Sequence, residues 1–196
     1  QTFALSMAQQ QVRGRMREYG RFIHSLEAQG LLSRALEHLP SDEQLAERLH
    51  KSQPLTRPEL AVLLSHAKGM LKDAFGAENI AAEPYLQKSV EKAFPQQLCD
   101  LYGEQVYRHR LMPEIVATQV ANDLINNLGI TAAYRLQSAT GASLKEIALA
   151  FVIARDAFRL ESFHHYLATL DNRVSALTQA EMMVNMERRV RRATRW

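Results

Sequence analysis

The strongest hydrophobic pattern in the chain lies between Leu111 and Gly129, LMPEIVATQVANDLINNLG. Ile115, Val116, Ala117, Val120, Ala121, Leu124, Ile125 and Leu128 recur at three- and four-residue steps, which predicts one broad apolar side of an α-helix. Pro113 suits the first turn, where its missing N–H costs nothing, and Gly129 suits a C-terminal stop. Beside the apolar side, Thr118, Asn122 and Asn126 stand four residues apart and form a polar ridge. Amides compete for backbone hydrogen bonds, so such a ridge inside a helix needs a partner or a solvated face.

Other segments repeat the helical period. Residues 3–29 carry Val12, Met16, Tyr19, Ile23 and Leu26 in phase, with Gly30 as the stop. Leu31 to Leu39 reads as a short helix closed by Pro40. Ser41 with Gln44, Thr56 with Glu59 and Ser143 with Glu146 each make a capping box. The first opens a helix bearing Leu45 and Leu49. The second opens one bearing Leu60, Leu63, Leu64, Ala67, Leu71 and Phe75, and the third one bearing Ile147, Phe151, Ala154 and Phe158. Pro84 begins a helix through Tyr85, Leu86, Val90 and Phe94; Pro95 ends it and begins another with Leu98, Leu101, Tyr102 and Val106. A shorter segment spans Phe163 to Leu170, and Met183, Met186, Val190, Ala193 and Trp196 form a last stripe. No stretch alternates with period two, and no repeat of fixed period is present. These signals predict an all-α fold, an irregular multi-helix array or bundle with no sheet. Residues 1–80 form an N-terminal helical part and 81–196 the central and C-terminal helices of one continuous domain.

Composition narrows the class. The 196 residues are 46% hydrophobic and 23% charged, which suits a folded globular chain. The single cysteine, Cys99, rules out an internal disulfide framework and suits a reducing compartment, so the cytoplasm is the expected location. No apolar run approaches the roughly 20 residues of a membrane helix, so no membrane partner is expected. Periodicity still runs at Trp196, and the chain opens on Gln1, which together predict a fragment of a longer protein.

The net charge of +3 is unevenly spread. Arg188, Arg189, Arg191, Arg192 and Arg195 crowd the end, and setting these five aside leaves 19 basic residues against 21 acidic. They flank an apolar stripe on one helix without the interleaved aromatics of a single-strand binder, so a charged face beside a packing stripe is preferred to nucleic acid. The stripe residues Met183, Met186, Val190 and Trp196 are therefore a candidate packing interface. No G-x-G turn, P-loop or H-E-x-x-H is present, and the seven histidines have no i, i+4 partner. No catalytic, cofactor-binding or metal-ligating residue is assigned, and no cofactor is expected in this segment. Arg108, His109 and Arg110, with Thr118, Asn122 and Asn126, are the candidates for an effector or interdomain contact, because arginines recognise carboxylates and a polar ridge can supply hydrogen bonds.

Six stretches together resemble the C-terminal part of the large, NAD-specific glutamate dehydrogenases of bacteria. They are LLSRALEHLP (31–40), LTRPELAVLLSHAK (55–68), Phe94-Pro95, HRLMPEIVATQVANDLINNLG (109–129), TGAS (140–143) and the ending AEMMVNMERRVRRATRW. The likeness runs in order over nearly the whole chain; Met112-Pro113 departs from the more charged residues expected there. The resemblance implies a parent enzyme that converts L-glutamate, NAD and water to 2-oxoglutarate, ammonium and NADH. It also implies that the catalytic lysine and dinucleotide fold lie upstream, outside this chain, so that no catalytic residue of the family maps here. Two roles follow for the segment. The favoured one is a non-catalytic helical domain that packs on the catalytic domain of the same chain or between subunits of a homo-oligomer. The alternative is a regulatory module that binds an amino-acid or nucleotide effector near Arg108, Arg110 and Asn122.

Overall fold

A computed structural model describes residues 12–171 and 173–195. Among them the chain forms ten α-helices, two short 3-10 segments and no strand. The helices are α1 (Val12–Ala28), α2 (Asp42–His50), α3 (Arg57–Ala77), α4 (Pro84–Gln87), α5 (Gln96–Tyr107), α6 (Met112–Leu128), α7 (Ala132–Thr140), α8 (Leu144–Ala157), α9 (Leu160–Ala168) and α10 (Ala176–Arg195). The 3-10 segments are Ile80–Ala82 and Lys88–Ala93, on either side of α4. Residues 3–11 of the first expected helix lie outside the described residues.

The long central pattern becomes α6, and the fold is built around it. Val116, Ala117, Val120, Ala121, Leu124, Ile125 and Leu128 are buried. They meet α3, both 3-10 segments, α4, α7, α8 and α10. Burial of each large aliphatic side chain contributes roughly 1.5–3 kcal/mol, so this one helix concentrates much of the apolar stabilisation. Residues from Met16 to Val190 share a single hydrophobic cluster, and a small satellite joins Leu167 to Met183. No helix among the described residues is long and apolar enough to cross a membrane.

All three capping boxes form. The Gln44, Glu59 and Glu146 N–H groups donate to the hydroxyls of Ser41, Thr56 and Ser143, and each side chain returns to its cap's backbone N–H. They start α2, α3 and α8. At the start of α8 the Lys145 N–H also donates to the Glu78 carboxylate at 2.7 Å, which ties the end of α3 to a helix terminus that favours negative charge.

Two expected helices differ. Residues 31–40 form turns rather than a helix. His38 is left-handed at φ 53°, and Leu36 is 81% exposed. The Arg34 guanidinium donates instead to Pro40 O and Asp42 and pairs with Glu27, so the segment is held as a bridge between α1 and α2. The helix from Pro84 to Phe94 is one α turn followed by 3-10 geometry, with Phe94 extended ahead of Pro95. A residue before proline avoids the α region, which stops the helix there. The nine-residue α7, with no side-chain cap at Thr131, has no counterpart in the sequence reading.

Candidate functional site

The residues singled out by sequence occupy three separate places. Arg108, His109 and Arg110 are exposed at the corner between α5 and α6. Arg108 reaches Glu104 at 3.4 Å, one turn back on its own helix. The His109 ring lies edge-on to Phe94, 5.9 Å between centroids, and its Nδ1 accepts from the Leu111 N–H at 3.1 Å. On α6, Thr118 donates to the Glu114 carbonyl of its own helix at 2.7 Å. Asn122 is half-buried, and the Asn126 Oδ1 is buried with no hydrogen-bond partner. With a rise of about 1.5 Å per residue, Asn122 lies roughly 15 Å along the axis from the start of α6, so the arginine corner and the amides do not converge.

Met183 and Val190 are buried, and Met186 packs against the main cluster. Helix α10 lies on α8 and α6, so this described part of the stripe is covered from within the chain. Trp196 lies outside the described residues.

Two charged networks join helices that lie far apart in the chain. The first centres on Asp123, the residue after Asn122. Its Oδ2 accepts from Lys92 Nζ at 2.8 Å and from Arg155 Nη1 at 2.7 Å. Arg155 Nε donates to Asp156 at 2.8 Å, Tyr85 donates to the same carboxylate, and Lys92 also pairs with Glu161. Burial works against the charge of Arg155, but Asp156 and Asp123 outweigh it and raise the guanidinium's pKa. Burial likewise lowers the nearby His164, against the pull of Asp123 and Glu161, and favours its neutral form. The network ties the second 3-10 segment, α4, α8 and α9 to α6.

The second network lies between α1, α7 and α10. Arg15, 7% exposed, donates to Glu187 Oε1 at 3.3 Å, and Arg191 donates to the same oxygen at 2.8 Å. Glu18 accepts from the Thr131 hydroxyl at 3.0 Å and faces Arg135 Nε at 3.4 Å. Arg15, Glu18, Arg135, Glu187 and Arg191, with Arg188 and Val184, border a cavity of about 310 Å³. Glu18 and Arg135 also border a larger cleft of about 920 Å³ between α1, α3 and α7.

Helix α5 departs from the rest of the fold. It leans mainly on the second 3-10 segment, and only Val106 is buried. Leu98, Leu101 and Tyr102, spaced i, i+3, i+4, are 42%, 73% and 52% exposed. The backbone leaves helical geometry at Tyr102, φ −129° and ψ 32°, so the helix bends within this apolar stripe. Among the described residues no group of three His, Cys, Asp or Glu side chains converges as metal ligands would.

A family profile described as "Glutamate dehydrogenase, C-terminal" matches residues 52–196. The chain belongs to the glutamate dehydrogenase C-terminal family. It is 47% identical over all 196 residues to an NAD-specific glutamate dehydrogenase of Pseudomonas aeruginosa and 45% identical to one of Halomonas elongata. A protein of the same description from Mycobacterium tuberculosis is 34% identical over 121 residues, 62% of this chain and 8% of that protein. The chain spans 12% of the length of the first two relatives.

Within this member of the glutamate dehydrogenase C-terminal family, the charged networks did leave traces in the sequence. Arg155 interrupts the apolar run IALAFVIARDA, and Glu187 falls in phase with Met183, Val190 and Thr194. A lone charge on a buried face signals a paired partner, because an unpaired buried charge is too costly to keep. The partners Asp123 and Arg15 lie 32 and 172 positions away, and only the fold brings them close.

Proposed function

We propose that this chain is a non-catalytic helical segment of an NAD-dependent glutamate dehydrogenase, and that it packs through α5 against another part of the same polypeptide. The observation that carries the reading is the bare apolar face of α5. Leu98, Leu101 and Tyr102 are all exposed on a helix that leans mainly on the second 3-10 segment, whereas α3, α6 and α8 bury their apolar faces. A contiguous exposed apolar patch of this kind marks an interaction surface. The chain spans 12% of the length of the relatives it matches end to end, so most of a parent of that size is available to cover it. On this reading the parent oxidises L-glutamate with NAD in the cytoplasm, and the cofactor and the chemistry reside outside residues 1–196.

Leu101→Asp in the full-length protein tests the proposal. Leu101 makes little contact within this chain, so the helicity of the 196-residue chain should not change. In the parent, a carboxylate driven into an apolar interface should lower the temperature of inactivation, while turnover in the cold is retained. An inactivation temperature equal to wild type would count against the α5 face as a packing surface.

A further inference from the structure

We propose that the cavity between α1, α7 and α10 is a binding site for a small anion bearing a carboxylate or phosphate group. Four guanidinium groups, Arg15, Arg135, Arg188 and Arg191, border this space of about 310 Å³ against two carboxylates, Glu18 and Glu187. Both carboxylates are already engaged. Glu187 receives Arg15 and Arg191 on one oxygen, and Glu18 receives Thr131 and faces Arg135. Among the described residues that border the cavity the charge is therefore positive by two.

Arg135 is the least satisfied member. Its Nε and Nη2 are buried without a hydrogen bond, and the side chain is only 31% exposed. Burial and then the like charge of Arg15 both disfavour its charged form, with Glu18 opposing them. An oxyanion in the cavity balances the excess charge and offers acceptors to the guanidinium forks that border it, whose planar geometry suits carboxylate and phosphate. The outer face of α10 extends the field, since Arg188, Arg189 and Arg192 border an adjoining hollow of about 380 Å³. The size fits a compact ligand group rather than a polymer. Because the ligand touches α1, α7 and α10 at once, its binding should fasten these helices together.

Hydrogen exchange on the full-length protein locates the site independently of any other anion-binding place in the parent. Inorganic phosphate and malonate are the two probes, with sodium chloride at equal ionic strength as the control for screening. One of the two probes should slow exchange in residues 131–140 and 183–195 about tenfold, once it stands at roughly ten times its dissociation constant. The effective probe tells whether the site takes phosphate or carboxylate. Arg188→Glu, at an exposed rim position that leaves the core untouched, should abolish the protection, and Arg135→Gln should weaken affinity about tenfold. Absence of protection at tens of millimolar of both probes, protection reproduced by chloride, or equal protection in Arg188→Glu would each overturn the proposal.

Discussion

Gly129 closes α6 at φ +95°, and a Cβ there would lie 2.6 Å from Arg15 Nη1. The residue therefore serves two ends: a backbone turn that other residues resist, and room for the buried arginine that reaches Glu187. Gly129→Ala should destabilise the chain by roughly 1–3 kcal/mol, seen as a lower urea midpoint at unchanged slope. A midpoint like that of wild type would contradict both the strain at φ +95° and the need for room beside Arg15. Glu59 gives a pH-dependent counterpart. Burial pushes its carboxyl upward, but Arg48 at 2.7 Å and the Thr56 N–H at 2.6 Å outweigh it and hold the pKa below the ordinary value. The folded chain thus binds this proton more weakly than the unfolded chain. The resulting stabilisation is complete above the unfolded pKa and is lost as pH falls through the folded one. Glu59→Gln should lower stability near pH 7 and reduce its decline toward about pH 3, and an unaltered acid slope would contradict that assignment.

At the scale of elements, the helices with explicit start signals were legible from sequence: Ser41, Thr56 and Ser143 with their partners three residues on each begin the helix they predict. Helices without a capping box were legible only where hydrophobic periodicity was strong, as in α6. Thr131 makes no cap, so α7 went unread, and Leu32, Leu36 and Leu39 imitate a helical face in a segment that Arg34 holds as turns. Periodicity also says which residues share a face without saying what covers it. Leu98, Leu101 and Tyr102 resemble the buried stripe of α3 in pattern, yet α5 leaves them in solvent. Its attachment is correspondingly slight. Tyr107 donates to Glu91 at 2.6 Å, and burial with this acceptor pushes the phenol up to about 12. Since the folded pKa is raised, this contribution holds below the free phenol's value of about 10 and fades between about pH 10 and 12. Tyr107→Phe should speed amide exchange across residues 96–107 about fivefold and leave α6 unchanged, allowing for the exposure of the pair. Equal rates in the variant would mean that α5 is held by something other than this bond.

Across the whole molecule, α6 organises the apolar core and the first of the two charged networks. Its buried face collects α3, α7, α8 and α10, and Asp123 on the same helix accepts from both Lys92 and Arg155. The all-α class and the central helix could be read from hydrophobic spacing because that spacing is local. The pairing of the buried charges could not, because Arg15 meets Glu187 only after the chain has closed on itself. On the proposed reading, the surface through which this segment serves its parent is the apolar face of α5. The most direct test compares amide exchange in residues 96–107 of the full-length protein with exchange in the 196-residue chain alone. Packing of α5 on the parent predicts amides that exchange fast in the isolated chain and at least about tenfold more slowly in the full-length protein, while α6 is well protected in both. Equally fast exchange of α5 in both would contradict the account, because the apolar face would then be as bare in the whole enzyme as it is in this segment.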